Sequence, residues 1–524
     1  MTIAGGIEHA LAVKADGTVW AWGSDFRYQL GDTVAASPSD QDAPVKVLGA
    51  GATGQLSNAV AVAAGGFQSM ALLANGTVYG WGDNAYGQSG DNKTADPTRS
   101  PSQVHGPGNV GFLTNVVAIS EGRYHSLALK ADGTVWAWGR NNDGQLGDST
   151  NGTERDTPVQ VHGVGDSGFL GGVIAISTGN YHSVALKADG TVFAWGLNDN
   201  GQLGDNTIVE RDVPVQVKSP DGLGVLSNIT AIAANRHQVT SLRSDGTMWS
   251  WGSNTDGELG DGTQNERHLP VQVVGPGGTG FLTGVAAIGM AGHHGMAVKS
   301  DGSEYDWGRN SNGQLGDNKA ANPEKTPAHV IGIGGTSFLA GAEATVGGDH
   351  WTLTVKNDGT LAAWGQNNSG QLGDASTMER DTPVHVSQAS GLTAVPAPCL
   401  QVGGVSPATA TCTGGAQVAV TGSGFEAATS VKFGGSAATS FTVTNDQGIS
   451  ATSPAGTPGR VDITVTTARG TTALVAADGF TCTAAPSLPK AGAAPTSAPP
   501  WLAVLVAMLL VTGTATFVAR RRAP

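Results

Sequence analysis

Along most of the chain, apolar residues alternate with small or polar ones in short runs, the period-2 pattern of half-buried strands. Ser126 to Lys130 (SLALK) and Thr134 to Trp138 (TVWAW) show it, separated by Ala131-Asp132-Gly133. An Asp-Gly pair between two alternating runs signals a hairpin, because both residues tolerate the positive φ of a tight primed turn. Another run precedes the pair (Val116 to Ser120, VVAIS) and another follows it (Pro158 to Val161, PVQV). These predict a unit of four short antiparallel strands with glycine-rich connections and no helix.

The unit recurs. The Trp of each W-G pair falls at Trp22, Trp81, Trp138, Trp195, Trp251, Trp307 and Trp364, in steps of 59, 57, 57, 56, 56 and 57 residues. The turn recurs at Asp16-Gly17, Asp189-Gly190, Asp245-Gly246, Asp301-Gly302 and Asp358-Gly359, with Asn75-Gly76 as a variant. A lone four-stranded blade cannot bury both faces, so blades pack on one another, and a ring leaves only short edges. A linear β-solenoid is the alternative, but such stacks use shorter turns of chain. The predicted fold is therefore all-β: a seven-bladed β-propeller over residues 1–396. Gly391 to Val395 reads as an eighth first strand that completes the ring beside residues 1–5. Met1 opens in mid-repeat with no basic and apolar leader before it, which reads as a fragment or as a start downstream of the true one.

Within the repeat, Trp136-Ala137-Trp138-Gly139-Arg140-Asn141-Asn142-Asp143-Gly144-Gln145-Leu146-Gly147 resembles the W-x-W-G-x-N-x-x-G-Q-L-G unit of the regulator of chromosome condensation repeat family. The resemblance covers about three quarters of the chain and implies the propeller fold. It also implies nucleotide exchange on a GTPase and docking on histones, functions of that family's best-known member. Exchange needs an insertion projecting from one blade, for which these repeats leave little room. The family resemblance extends to a secreted β-lactamase inhibitor of the same propeller type, which blocks an active site with aromatic-rich loops.

After Pro396 the pattern changes to short strands split by Gly and Pro: Val418 to Thr421, Val431 to Phe433, Ile449 to Thr452 and Val461 to Val465. A small immunoglobulin-like β-sandwich over residues 400–483 is expected. Its V-T-G-x-G-F segment at Val420 to Phe425 and its A-T-S-P-A-G-x-P-G turn at Ala451 to Gly459 resemble an IPT/TIG domain. That resemblance implies a spacer in a surface protein or a dimerisation and DNA-contact module. The segment's near-neutral charge favours the spacer.

Charge narrows the function. The chain has 28 Lys+Arg against 42 Asp+Glu, and the propeller alone holds 21 against 38, a net −17. So negative a surface opposes nucleic acid, whose phosphates require Lys and Arg. Cys399, Cys412 and Cys482 all lie outside the repeats and form no C-x-x-C pair, which argues against zinc. In an exported protein Cys412 and Cys482 could bridge the two ends of the sandwich.

Residues 484–500 form a Pro/Ala/Ser linker. Trp501 to Ala519 are uncharged, and Arg520-Arg521-Arg522 lead a basic tail over 520–524. This predicts one C-terminal transmembrane helix over 501–519, with the tail in the cytoplasm and the domains before it outside. Ahead of it, Leu488-Pro489-Lys490-Ala491-Gly492 resembles the L-P-x-T-G sorting signal, with Ala491 in the Thr position. That resemblance implies a sortase and peptidoglycan as partners and attachment at Ala491.

Three sets of repeated residues are candidate chemistry. His9, His125, His182 and His294 stand seven residues before the turn Asp, and His237 and His350 eight before it. They are read as imidazoles bonding between blades in preference to an axial metal ring. Asp32, Asp91, Asp148, Asp205, Asp261, Asp317 and Asp374 close each repeat core and are read as loop caps beside Arg155, Arg211, Arg267 and Arg380. The repeated Trp residues are read as core. Binding residues are sought where repeats differ: Thr33 to Pro44, Lys93 to Ser102, Ser219 to Ser227, and the deviant Asp25-Phe26-Arg27-Tyr28. No catalytic residue, cofactor or metal is assigned. The function expected is a bacterial cell-surface propeller, not an enzyme, that binds a protein or glycan as an adhesion module. Enzyme inhibition is the alternative; a propeller lyase or an exchange factor ranks lower.

Overall fold

The computed structural model describes residues 1–32, 39–94, 97–320, 323–335, 337–387, most of 401–483, and 516–517. Two compact units emerge and are taken separately.

The first is a ring of seven antiparallel sheets, each with four strands from one continuous stretch of chain; in the third, Thr516–Phe517 adds a fifth strand beside Val116–Glu121. Blade four has strands Val173–Thr178, His182–Lys187, Val192–Gly196 and Arg211–Gln216. First strands of successive blades touch around the axis, and the ring closes where Thr2–Gly5 meets Ala342–Gly347. Gly391 to Val395, expected to complete the ring beside residues 1–5, lie outside the described residues. The closing blades are tied by Trp22, whose Nε1 donates to Gln371 O at 2.9 Å, and by Trp351, whose Nε1 donates to Ile7 O at 2.9 Å.

The hairpin turns differ from the expected primed type. Lys130, Ala131, Asp132 and Gly133 form a turn closed by Gly133 N–H on Lys130 O at 2.9 Å, and only the glycine has positive φ, at 80°. This is the three-residue loop in which a left-handed glycine follows an ordinary turn. Asp132 contributes through its side chain: Oδ1 accepts from Thr134 N–H at 3.0 Å and from the Thr134 hydroxyl at 2.6 Å. The Pro of each fourth strand sits on the sheet edge, where its missing N–H costs nothing.

Each W-G Trp is fully buried against the neighbouring blade. Trp195 Nε1 donates to Gln145 O at 2.9 Å, and Gly147, at φ 67°, lies so close that a Cβ there would stand 2.7 Å from that nitrogen. The Asp caps are ion-paired loop closures: Asp148 takes Arg155 at 2.7 Å and Asn141 Nδ2 at 3.1 Å, and Asp205, Asp261 and Asp374 repeat the Arg pairing.

The second unit is a two-sheet β-sandwich. One sheet orders Gln401–Ser406, Gln417–Ser423, Gly448–Thr452 and Ser440–Asn445; the other is built on Gly459–Thr467, flanked by Gly479–Thr483 and Ser430–Phe433. Val418, Val420, Phe433, Ile463 and Phe480 fill the space between them. Cys412 and Cys482 are disulfide-bonded, the pairing read from their places at the two ends of this domain. No described helix is long and apolar enough to cross a membrane. Cys399, the Leu488 to Gly492 motif and all of 501–519 except Thr516–Phe517 lie outside the described residues.

Candidate functional site

The turn joining the first and second strands of every blade reaches the axis on one face of the ring. The third-to-fourth-strand loops, which carry the N-x-x-G-Q-L-G segment, lie on the same face.

Strand pairing corrects the histidine alignment. The residue opposite the glycine of each W-G pair is His9, Gln68, His125, His182, Gln238, His294 and Trp351. His237 and His350 therefore stand one position earlier than the other four and do different work. The true position bridges blades: His9 Nε2 meets Ser69 Oγ at 3.0 Å, His125 Nε2 meets Ser183 Oγ at 3.0 Å, and His294 Nε2 meets Thr352 Oγ1 at 2.7 Å. Burial holds His9, His125, His182 and His294 neutral, with pKa values near 3. His9, His125 and His294 are inter-blade struts, whereas both ring nitrogens of His182 are buried without a partner. Among the described residues no group of three or more His, Cys, Asp or Glu could hold a metal ion.

One residue earlier runs a collar around the mouth of the axis: Glu8, Phe67, Tyr124, Tyr181, His237, His293 and His350. Several collar residues dock on the preceding blade's loop. Tyr124 meets Tyr86 edge-on at 5.3 Å, the Arg140 guanidinium lies 4.7 Å over Tyr181, His293 Nδ1 meets Asp256 Oδ2 at 2.7 Å, and Glu8 accepts from Ser369 at 3.4 Å. Neighbours also meet directly, with Tyr124 and Tyr181 at 6.3 Å, Tyr181 and His237 at 6.2 Å, and His293 stacked on His350 at 4.9 Å. Burial lowers the pKa of His350 to about 4 and that of His237 below its ordinary value, so these imidazoles are neutral at neutral pH. All seven collar side chains are half-buried.

Inside the collar the mouth opens into a narrow cavity of about 20 Å³ lined by glycine backbone and by Glu121, Arg123, Thr178, Asn180, Asn235 and Asp349. Glu121 ends the first strand of blade three, where the other blades have Gly5, Ala64, Thr178, Ala234, Met290 and Gly347. It is only 1% exposed. Its Oε2 accepts from Ser126 Oγ at 2.9 Å and Gln68 Nε2 at 3.2 Å, and burial pushes its carboxyl well above the usual range.

Neither the collar nor Glu121 was singled out in the sequence. The available signal was the residue eight before each turn Asp: an aromatic or imidazole ring in six repeats and an acid in one. Of the regions expected to bind, Phe26 is exposed on this face with Arg27 5.2 Å from its ring, whereas Ser219 to Ser227 lie on the opposite face. Residues 33–38 and 95–96 lie outside the described residues.

A closed seven-bladed ring with a polar-aromatic axial mouth defines the class: a propeller that presents a recognition face on rigid blades. The RCC1-like domain model matches residues 1–217 and 113–434, and the chain belongs to that family; the IPT/TIG model matches 400–481. The chain is 28% identical over 385 residues to mouse and human E3 ubiquitin-protein ligase HERC2, which covers 73% of this chain but 7% of HERC2. It is 28% identical over 329 residues to the Arabidopsis thaliana ultraviolet-B receptor UVR8, covering 62% of this chain and 69% of the receptor. Yeast RCC1 (Prp20), solved bound to Kap60, superposes with TM-score 0.58 at 18% identity over 86% of this chain and 91% of its own. At that identity the likeness speaks to the fold.

Proposed function

We propose that this chain is a non-catalytic protein-binding module whose propeller docks a partner on the collar face. The observation that carries it is the collar with its cations: Tyr124, Tyr181, Arg123 and Arg140 gathered half-buried around one opening. Tyr offers a large amphipathic contact area at low rotamer-entropy cost, and Tyr and Arg are enriched among the residues that dominate binding energy at protein interfaces. Family membership supports it, since yeast RCC1 was solved bound to a protein, Kap60. Display outside a bacterial cell is part of the proposal. It rests on the apolar stretch 501–519 with its Arg tail, on Leu488 to Gly492, and on the Cys412–Cys482 disulfide, which suits an oxidising compartment.

Random 12-residue peptides displayed on phage are selected against the full chain. Binders are expected to lose at least tenfold in affinity to Arg140→Ala/Tyr181→Ala and to keep it with Phe169→Ser on the opposite face; the reverse pattern would move the site. For display, the C-terminal mass of protein released from the cell wall by muralytic digestion is expected to end at Ala491 with attached peptidoglycan. An intact chain recovered from the membrane would refute sorting.

A further inference from the structure

The collar face contains one group that docking alone does not require. The cavity behind the collar holds a carboxyl that is almost wholly removed from solvent. Both hydrogen bonds to Glu121 Oε2 come from neutral groups, Gln68 Nε2 and Ser126 Oγ, and the residue lines the cavity. Burying a carboxyl is costly unless it finds a counter-charge or donor. No fold requirement explains it, because the six equivalent positions are Gly, Ala, Thr or Met and support the same ring. The cation nearest the mouth is engaged elsewhere: Arg123 sits 5.3 Å over the Tyr124 ring and donates Nε–H to the Tyr124 hydroxyl at 3.2 Å.

We propose that the axial mouth receives a lysine side chain of the docked protein, with Glu121 as the counter-ion of its ammonium group. This rests on the docking proposal above and adds the anchor to it. The cavity's shape selects the chemistry. Its walls are backbone at Gly65, Gly122 and Gly179, packed so that a Cβ on Gly65 would stand 2.1 Å from Gly122 O and one on Gly122 2.6 Å from Gly179 O. The space they leave is about 20 Å³, room for about one water-sized group, which excludes a branched or planar head and admits a narrow one. An ammonium brings three donors on a thin methylene stem, whereas a guanidinium is a wide planar fork. The stem would lie along the collar rings of Tyr124 and Tyr181, the apolar-stem, polar-tip arrangement that long cationic side chains adopt. Carbonyls of the converging turns offer acceptors for the ammonium protons that Glu121 does not take.

Two probes decide it. n-Butylammonium chloride, which carries the lysine head and stem, is titrated into the full chain and followed by saturation-transfer NMR, with n-butylguanidinium as the comparison. Binding of the first, at least tenfold tighter than the second and weakened at least tenfold by both Glu121→Gln and Glu121→Thr, is the expected result. Thr is what blade four carries at this position, so the second variant guards against misfolding, and both variants are checked by thermal melt. Equal binding to wild type and variants, or preference for the guanidinium, would overturn the proposal. The phage-selected peptides separate this from the docking reading. If they depend on Arg140 and Tyr181 but tolerate Lys→Gln at every position, docking stands and the lysine anchor falls. If Lys→Gln in the peptide and Glu121→Gln in the protein each cost tenfold and together cost no more than either alone, the anchor is established.

Discussion

Blades four and six have the same strands in the same register and very different interiors. The third strand of blade four reads Val192-Phe-Ala194-Trp195, and its contact with blade five is one continuous apolar cluster from Val184 and Leu186 through Ala194 to Ile232 and Trp251. The third strand of blade six reads Glu304-Tyr-Asp306-Trp307, and Glu304 occupies the place of Val192, opposite Val298 as Val192 is opposite Leu186. Toward blade seven the described apolar residues fall into two small clusters, one around Trp364 and one of Ala287, Val298 and Ala342. Between them lie Glu304, Asp306, Thr345 and Thr354, all fully buried. Glu304 takes the Thr354 hydroxyl at 2.8 Å, but neither oxygen of Asp306 closes a hydrogen bond. Trp364 Nε1, which in the other blades donates to a loop carbonyl, also lacks a well-aligned partner and faces Asp306. The repeat thus specifies a backbone tightly enough that one interface keeps its shape with two acids inside. Where a repeat is obeyed, its residues hold the ring; where it is broken, they are held by it.

The largest expected effect lies on the obeyed side. Trp195→Ala removes a fully buried indole and its bond to Gln145 O, and should cost about 3–5 kcal/mol in urea unfolding. The milder Trp195→Phe, which removes the N–H alone and strands the carbonyl, should cost about 1 kcal/mol. Trp364→Phe should cost measurably less, having no well-aligned bond to lose. Equal costs at the two sites would erase the contrast.

On the broken side the sign reverses. Asp306→Ala installs the residue that five repeats approximate with Ala or Gly at Ala21, Gly80, Ala137, Ala194 and Ala363. It removes a buried acid with no hydrogen bond, so it should stabilise by about 1–3 kcal/mol, a direction few core truncations take.

Protonation gives the same contrast a pH axis. Burial raises Glu304 to about 7 and Asp306 well above its ordinary value. Their folded forms hold protons more tightly than the unfolded chain, so this interface is most stable below about pH 4 and loses stability as pH rises toward 7 and above. His182 works the other way, with both ring nitrogens unpartnered and a pKa near 3; its contribution is lost as pH falls from about 6.5 toward 3. The stability gained by Glu304→Val/Asp306→Ala, measured by urea melts at pH 5 and pH 8, should therefore be larger at pH 8. The gain should not grow with pH if the two acids stay ionised in the fold.

The ring was legible because it is written in short-range terms. The alternation, the Asp-Gly turns, the Trp positions and the Asp–Arg loop caps each recur within a single repeat. The collar was not, because its logic runs between blades. His237 and His350 look like misplaced copies of His125 until strand pairing puts Gln238 and Trp351 in the bridging position. Glu121, in Ser-Glu-Gly, resembles a polar strand end, and only convergence of turns more than fifty residues apart buries it. Asp306 between Tyr305 and Trp307 reads as the polar beat of an alternating strand, although both faces of that strand are covered.

Blade one shows how far a loop can drift and what would restore it. In six blades an Asn binds the loop together: Asn141 Oδ1 accepts from Leu146 N–H at 3.0 Å while Nδ2 donates to Asp148. Blade one has Asp25 there. Its Oδ1 keeps the first bond, to Leu30 N–H at 2.9 Å, but it has no proton to donate in its ionised form, and Asp25 Oδ2 and Asp32 Oδ1 are both buried without partners. Burial, with Asp32 and Asp40 nearby, raises Asp25 to about 7. Asp25→Asn supplies the missing N–H where both orphaned oxygens lie, so it should stabilise by about 1 kcal/mol at pH 8 and by less at pH 5. A pH-independent gain would mean that Asp25 stays ionised and that the amide acts only as a better-fitting donor. A loss would mean that a cation or ordered water already bridges the two acids, and that blade one departs from the repeat in order to hold it.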